Sequence, residues 1–158
     1  MQIRLLVVGP SQERNLEALI QVYIDRIRHY LPFTIEVIPD VTPVALRKDP
    51  ERLKVLEGEQ ILKRIKAGEE VLLLDERGKE PTSRELAALL QKRMLSGIKR
   101  WTWVIGGAYG FSEAVYVRVP SRISLSKLTL THTMVRLLAT EQLYRALTIL
   151  NNEPYHHD

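Results

Sequence analysis

The sequence predicts an α/β fold: a mostly parallel sheet flanked by helices. Three observations predict it. Apolar runs of strand length alternate with segments of helical periodicity along the whole chain. The runs IRLLVV (3–8) and VLLLD (71–75) are continuous, as strands covered on both faces are. The 158 residues fit a single domain, 1–158, long enough to bury a core without staples.

Each element has its own signal. Gly9-Pro10 closes the first strand. Leu16, Leu19, Ile20, Tyr23, Ile24 and Ile27 recur at helical spacing within 15–31, and Pro32 stops that helix. TIEVI (34–38) alternates, a strand with one wetter face. DVTPVALRKDPER (40–52) carries two prolines and mixed charge and predicts a mobile loop. A charged amphipathic helix follows over 51–66, ended by Gly68. VLLLD is the third strand, and Arg77-Gly78-Lys79 predicts a turn. Thr82 and Glu85 make a capping box ahead of ELAALLQKRML, with Gly97 as its stop. WTWVI (101–105) is the fourth strand and runs into a glycine turn. A short helical piece at 112–117, a last strand RISLS (122–126) and a final helix from His132 to Leu150 complete the pattern. The polar tail NNEPYHHD closes the chain.

Composition excludes several classes. There is no cysteine, hence no disulfide scaffold, thiolate metal site or cysteine nucleophile. No His/Asp/Glu cluster has metal-ligand spacing, so no metal is expected. The initial run MQIRLLVVGP is too short for a signal core or a spanning helix; a cytoplasmic protein without a membrane partner is expected. Charge is uneven. Residues 1–70 hold eleven Lys/Arg and eleven Asp/Glu, whereas 84–145 hold ten Lys/Arg against three acids. An excess of seven fits either a polyanion partner or a solvated basic face.

Open parallel sheets bind ligands outside the carboxyl ends of their strands. Asp75, the turn after WTWVI and the segment 124–131 fall there. That turn, VIGGAYG, is neither a dinucleotide fingerprint nor a P-loop. Gly106 and Gly107 either permit positive φ in a tight turn or expose main chain to a flat polar ring. SLSKLTLTH (124–132) alternates apolar and hydroxyl residues where a polar loop is usual, which implies burial: core packing or one wall of an adenosine-sized cleft. In the final helix, apolar residues go most of the way round, from Met134 to Leu150. That fits a two-fold homodimer, or else a central helix of a monomer.

Taken in order, VLLLD, VIGGAYG, SLSKLTLTH, VRLLATEQLYRA and the terminal PYHHD make the chain resemble the RlmH family, SPOUT-class methyltransferases of large-subunit ribosomal RNA. The resemblance runs from MQIRLLVVG to the tail and is weakest at 40–50. It implies an α/β sheet whose C-terminal third is threaded into a trefoil knot, and a homodimer. It implies S-adenosyl-L-methionine as cofactor, and methylation of N3 of a pseudouridine in a large-subunit (23S) rRNA stem-loop within the assembled ribosome. Matched by motif, cofactor contacts fall on Leu74, on Gly106 and Gly107, and on Leu125, Ser126, Lys127, Leu128, Thr129 and Leu130. Two departures stand out. Thr131-His132 replaces the family's common Pro-His, with Thr131 free to cap the helix. His157 stands where Arg or Lys often follows Tyr-His, which puts the role of that basic residue in doubt near neutral pH.

An imide nitrogen must lose a proton before or during attack on a methyl group, and a positioned base helps. His132, Glu141, Tyr155 and His156 are the candidates, Tyr155 and His156 first, since a tail can fold over a bound base; plain disorder is the competing account. Arg145 either pairs with Glu141 at i,i+4 or touches phosphate across a dimer, and His132 reads better as a cap. Lys92, Arg93, Lys99, Arg100, Arg118 and Arg122 form the expected phosphate-facing set. Two other classes compete: a non-catalytic ribosome-binding protein, and a knotted methyltransferase acting on tRNA.

Overall fold

A computed structural model describes residues 1–11, 13–39 and 49–157. Most of the loop expected at 40–52 lies outside the described residues. The elements run β1 (Gln2–Val8), α1 (Arg14–Arg28), β2 (Phe33–Ile38), α2 (Pro50–Arg64), β3 (Glu70–Lys79), α3 (Ser83–Leu95), β4 (Arg100–Ile105), α4 (Glu113–Arg118), β5 (Arg122–Ile123) and α5 (His132–Leu150). The five strands form one sheet in the order β2-β1-β4-β3-β5, and every neighbouring pair is parallel. Strand and helix alternate as the periodicity demands, so each crossover lays a helix on a face of the sheet.

The period of two along each strand divides the core. Ile3, Leu5, Val7, Trp101, Trp103 and Ile105 face α1, α3 and α5. Leu6, Val8, Leu73 and Val104 face α2 and α4. Trp101 and Trp103 are each 1 % exposed, with ring centroids 5.3 Å apart, edge to face. Among the described residues their indole N–H groups have no hydrogen-bond partner. Glycine allows one helix contact: a Cβ on Gly58 of α2 would overlap the Ser112 hydroxyl at the start of α4.

Three expectations need correction. Arg77-Gly78-Lys79 is not a turn that ends β3. Both Leu74 and Lys79 pair with Ile123, so residues 75–78 form a wide bulge inside the strand. Gly78 is needed because a Cβ there would run into the Ile123 backbone, not because φ is positive. RISLS is a strand only over Arg122–Ile123. The serines then bend the chain: Ser124 Oγ donates to the Ser126 carbonyl at 2.8 Å, and Ser126 Oγ accepts from Leu128 N at 2.9 Å. Finally, α5 is not buried by its large apolar residues alone. Its fully covered positions include Thr133, Arg136, Thr140 and Thr148, while Met134 stays 39 % exposed.

That inward polarity has a job. Arg136, 2 % exposed, donates to the carbonyls of Val8 (3.2 Å) and Gly9 (2.5 Å) at the end of β1. It ties α5 to the carboxyl edge of the sheet. Burial lowers its pKa and Glu17 at 4.0 Å opposes that. The capping box of α3 forms as expected: Thr82 accepts from Glu85 N, and Glu85 accepts from Thr82 N at 2.7 Å. Thr131 caps α5, accepting from Met134 N at 3.3 Å.

Candidate active site

A cleft of about 410 Å³ opens at the carboxyl ends of β3 and β4. Leu74 and Ile105 form its floor, the glycine turn one side and the 124–130 loop the other. The bulge in β3 lifts Asp75, Glu76 and Arg77 to its edge, and Lys54 of α2 and Tyr116 of α4 also reach it. A volume of several hundred cubic ångströms suits a nucleoside-sized ligand.

The turn resolves the two readings of its glycines. Gly110 carries the positive φ, +78°, and its N–H donates to the Gly107 carbonyl at 3.1 Å. Gly106 and Gly107 have ordinary φ. A Cβ on Gly106 would press on the Phe111 ring at 3.1 Å, and one on Gly107 would overlap the Glu57 carboxylate. Missing side chains therefore let the turn close back on the protein. What remains toward the cleft is main chain, with N–H and C=O groups in reach of a flat heterocycle.

The opposite wall departs from the expected burial. Leu125 packs against the core, but Leu128 is 78 % exposed at the cleft mouth, and Thr129 is exposed beside it. Such an apolar side chain is left uncovered by the chain itself. Lys127 does not line the cleft: its ammonium lies 3.6 Å from Glu80, in solvent. Of the nine residues matched to the cofactor, the other eight all do. His132 lines the cleft as well, and the cap of α5 is Thr131 rather than His132.

Tyr155, His156 and Arg145 meet one another, but elsewhere. The Arg145 guanidinium lies 4.7 Å from the Tyr155 ring centroid and 3.5 Å from His156 Nδ1, and it grips Glu141 at 2.6 Å. Tyr155 donates to Glu141 at 3.1 Å and its ring meets that of Tyr144 at 4.7 Å. The tail is thus docked on α5. Burial first, then Tyr23 and Glu141, push the Tyr155 phenol above its ordinary range, so it is a hydrogen-bond donor and not a base near neutrality. Arg145 follows Val135 of the cleft by ten positions on α5, about 15 Å at ~1.5 Å per residue. Within one chain the tail group and the cleft are therefore separate.

Sequence reasoning missed part of the site. Tyr116 and Arg77 carried no motif, and only the bulge and α4 bring them to Asp75. Burial and the bond to Asp75 push the Tyr116 phenol up to about 12. The expected phosphate-facing set is mostly at the other pole. Lys92 and Arg93 end α3, and Lys99 and Arg100 lead into β4, all at the amino ends of the strands. Arg118 likewise donates to the Lys66 carbonyl there, at 3.1 Å.

A parallel α/β sheet with a nucleoside-sized cleft at its carboxyl edge, walled by a main-chain turn, defines a small-molecule-binding enzyme fold. The comparisons narrow it. Residues 1–156 match the family model described as "Predicted SPOUT methyltransferase", and the chain belongs to that family. It is 52 % identical over 157 residues, 99 % of each chain, to "Ribosomal RNA large subunit methyltransferase H" of Christiangramia forsetii. It is 50 % identical over 158 residues, all of each chain, to the protein of the same name from Porphyromonas gingivalis. Among solved structures it resembles a tRNA (m1G37) methyltransferase from Aquifex aeolicus, with a TM-score of 0.55 and 17 % identity, over 100 % of this chain and 76 % of that one. That likeness concerns the fold.

Proposed function

We propose that this chain is an S-adenosyl-L-methionine-dependent methyltransferase, acting in the cytoplasm on N3 of a pseudouridine in a large-subunit rRNA stem-loop of the assembled ribosome. The observation that carries the reading is the end-to-end match, at 50–52 % identity, to relatives named for large-subunit rRNA methylation. The cleft supports it, because its walls include eight of the nine residues that the family resemblance matches to the cofactor. The donor's chemistry is an electrophilic methyl group on a sulfonium. Main chain at Gly106 and Gly107 would hold the adenine edge, Leu74 and Leu125 its faces, and Leu128 the outer side. The residues keep the donor in one orientation and exclude water, and alignment supplies much of the acceleration.

The tail favours a homodimer. Arg145, Tyr155 and His156 cannot serve the cleft of their own chain across about 15 Å of helix. In a two-fold pair, the tail of one copy serves the cleft of the other, and the half-exposed side of α5 is covered. There Arg145 steers the RNA and the Tyr155 hydroxyl donates to the target base. The C-terminal third carries the family's knot.

The test is incubation with labelled S-adenosylmethionine and either unmodified ribosomes or naked rRNA, followed by mapping of the labelled nucleotide. Label at one large-subunit pseudouridine is expected. Label in tRNA, or donor binding without transfer to any RNA, overturns the reading. A protein that gives no heat with the donor in calorimetry is a mere binder.

A further inference from the structure

Two guanidinium groups share one aromatic ring at the mouth of the cleft. Arg77, on the cleft rim, lies 5.9 Å from the Tyr116 ring centroid, and Arg122 lies 5.2 Å from the same centroid. The ring is itself fixed. Its hydroxyl donates to Asp75 at 2.5 Å, and it meets Phe111 edge-on at 5.9 Å. Asp75 also accepts the backbone N–H of Arg77 at 2.8 Å. The Asp75 carboxylate is therefore engaged by the tyrosine and by the bulge, while Glu76 lies beside Arg77 on the same cleft.

Among the described residues neither Arg77 nor Arg122 pairs with a carboxylate. Arg4, Arg28, Arg64, Arg93, Arg136 and Arg145 each do. Two like charges seated on one anchored ring repel each other, and an anion held by both relieves that repulsion. Their planar forks match phosphate oxygens and lose little freedom on binding, because the ring already restrains them. Position then selects the anion. Arg77 and Tyr116 line the cleft, whereas Arg122 lies outside it. An anion that touches both guanidiniums straddles the rim. A carboxylate on a ligand enclosed in the cleft would meet Arg77 without Arg122.

We propose that Arg77 and Arg122, seated on Tyr116, form a clamp for a phosphodiester of the RNA backbone at the mouth of the donor cleft. This rests on the reading of the chain as an rRNA methyltransferase and names where the RNA is held. The clamp positions a nucleotide and carries no sequence information of its own.

Binding of unmodified ribosomes across a salt series, without turnover, tests it, alongside calorimetry with S-adenosylmethionine. Arg77→Gln and Arg122→Gln are each expected to weaken ribosome binding about tenfold, the loss of one charge-assisted bond. Each should lower the slope of log affinity against log salt by about one. Arg122→Gln should keep the donor affinity of the wild type. Tyr116→Leu changes no charge yet unseats both arginines, and should weaken ribosome binding as well; Tyr116→Phe, which keeps the ring, should weaken it less. Lys92→Gln, at the other pole, should do nothing.

Unchanged affinity and slope in Arg122→Gln overturn the clamp. So does Arg122→Gln losing donor rather than ribosome, which would make the anion the donor's carboxylate. Tyr116→Leu binding like the wild type, with a native circular dichroism spectrum, would leave only a diffuse field and also refute it. Because binding is read without methyl transfer, failure of the clamp and failure of the proposed reaction give different results.

Discussion

The two poles of the sheet are built from the same residue types and do opposite things with them. At the amino pole, on the α2 side, Arg4 is 8 % exposed and bonded through all three guanidinium nitrogens. It donates to Thr102 (3.1 Å), Glu36 (3.0 Å), Glu69 (2.9 Å) and the Arg64 carbonyl (3.1 Å). Arg64 pairs with Glu36, and Arg93 with Glu70. At the carboxyl pole, Arg77 and Arg122 are stacked but without acid partners among the described residues, Leu128 is uncovered, and main chain lies open at the glycine turn. A closed network holds strands in place, and an open one waits for a ligand. Charge counted along the sequence cannot tell these apart, since pairing decides.

The strongest way to break the contrast is Gly107→Val. Its Cβ would overlap the Glu57 carboxylate, so that side chain must swing away or the turn must shift beside the cleft. Calorimetry should show donor binding abolished while sedimentation and circular dichroism match the wild type. Donor binding at wild-type strength would refute the placement of the site.

At the amino pole the loss falls on stability instead. Arg4→Met leaves the Glu69 carboxylate, 5 % exposed, without its guanidinium. A cost of about 3–5 kcal/mol is expected, read as a lower urea midpoint. Donor affinity should survive wherever the variant is folded, and its loss would show that the poles are not independent.

Acid sharpens the same contrast more gently. Burial alone would raise the Glu69 carboxyl, but the Thr102 hydroxyl, the Lys66 N–H, Arg4 and Arg100 outweigh it and hold it below the usual range. The folded value lies below the unfolded one of about 4.3. Its stabilisation is therefore present in full above the unfolded value and is lost as pH falls through the folded value. Urea midpoints should fall more steeply in the wild type than in Glu69→Gln below about pH 5. Parallel curves would show that Glu69 holds no proton-linked stability.

The smallest effect belongs to the cap at the cleft. Thr131→Ala removes the acceptor for Met134 N and should cost about 1 kcal/mol in thermal unfolding. Donor affinity should change little, because Thr131 does not line the cleft.

Much of this was legible in the chain. Continuous apolar runs gave the buried parallel strands, Thr82 and Glu85 the start of α3, and the ordered late motifs the walls of the cleft. What stayed hidden depends on contacts distant in sequence. Gly78 reads as a turn until Ile123, 45 residues later, is laid against it. Tyr116 acquires meaning only when the bulge brings Asp75 to its hydroxyl. Ser124 and Ser126 continue a strand pattern by alternation, but their hydroxyls bond locally and end it. The basic run from Lys92 to Arg100 lies in the right part of the sequence and at the wrong end of the strands.

The indole pair in β4 has a practical consequence. Trp101 and Trp103 are the chain's two tryptophans, both buried, with no N–H partner among the described residues. Their emission should sit at short wavelength in the native protein and shift to the red when the central strand meets water. Since β4 runs straight into the glycine turn, native fluorescence offers an optical gauge of the sheet beneath the cleft, with no label attached.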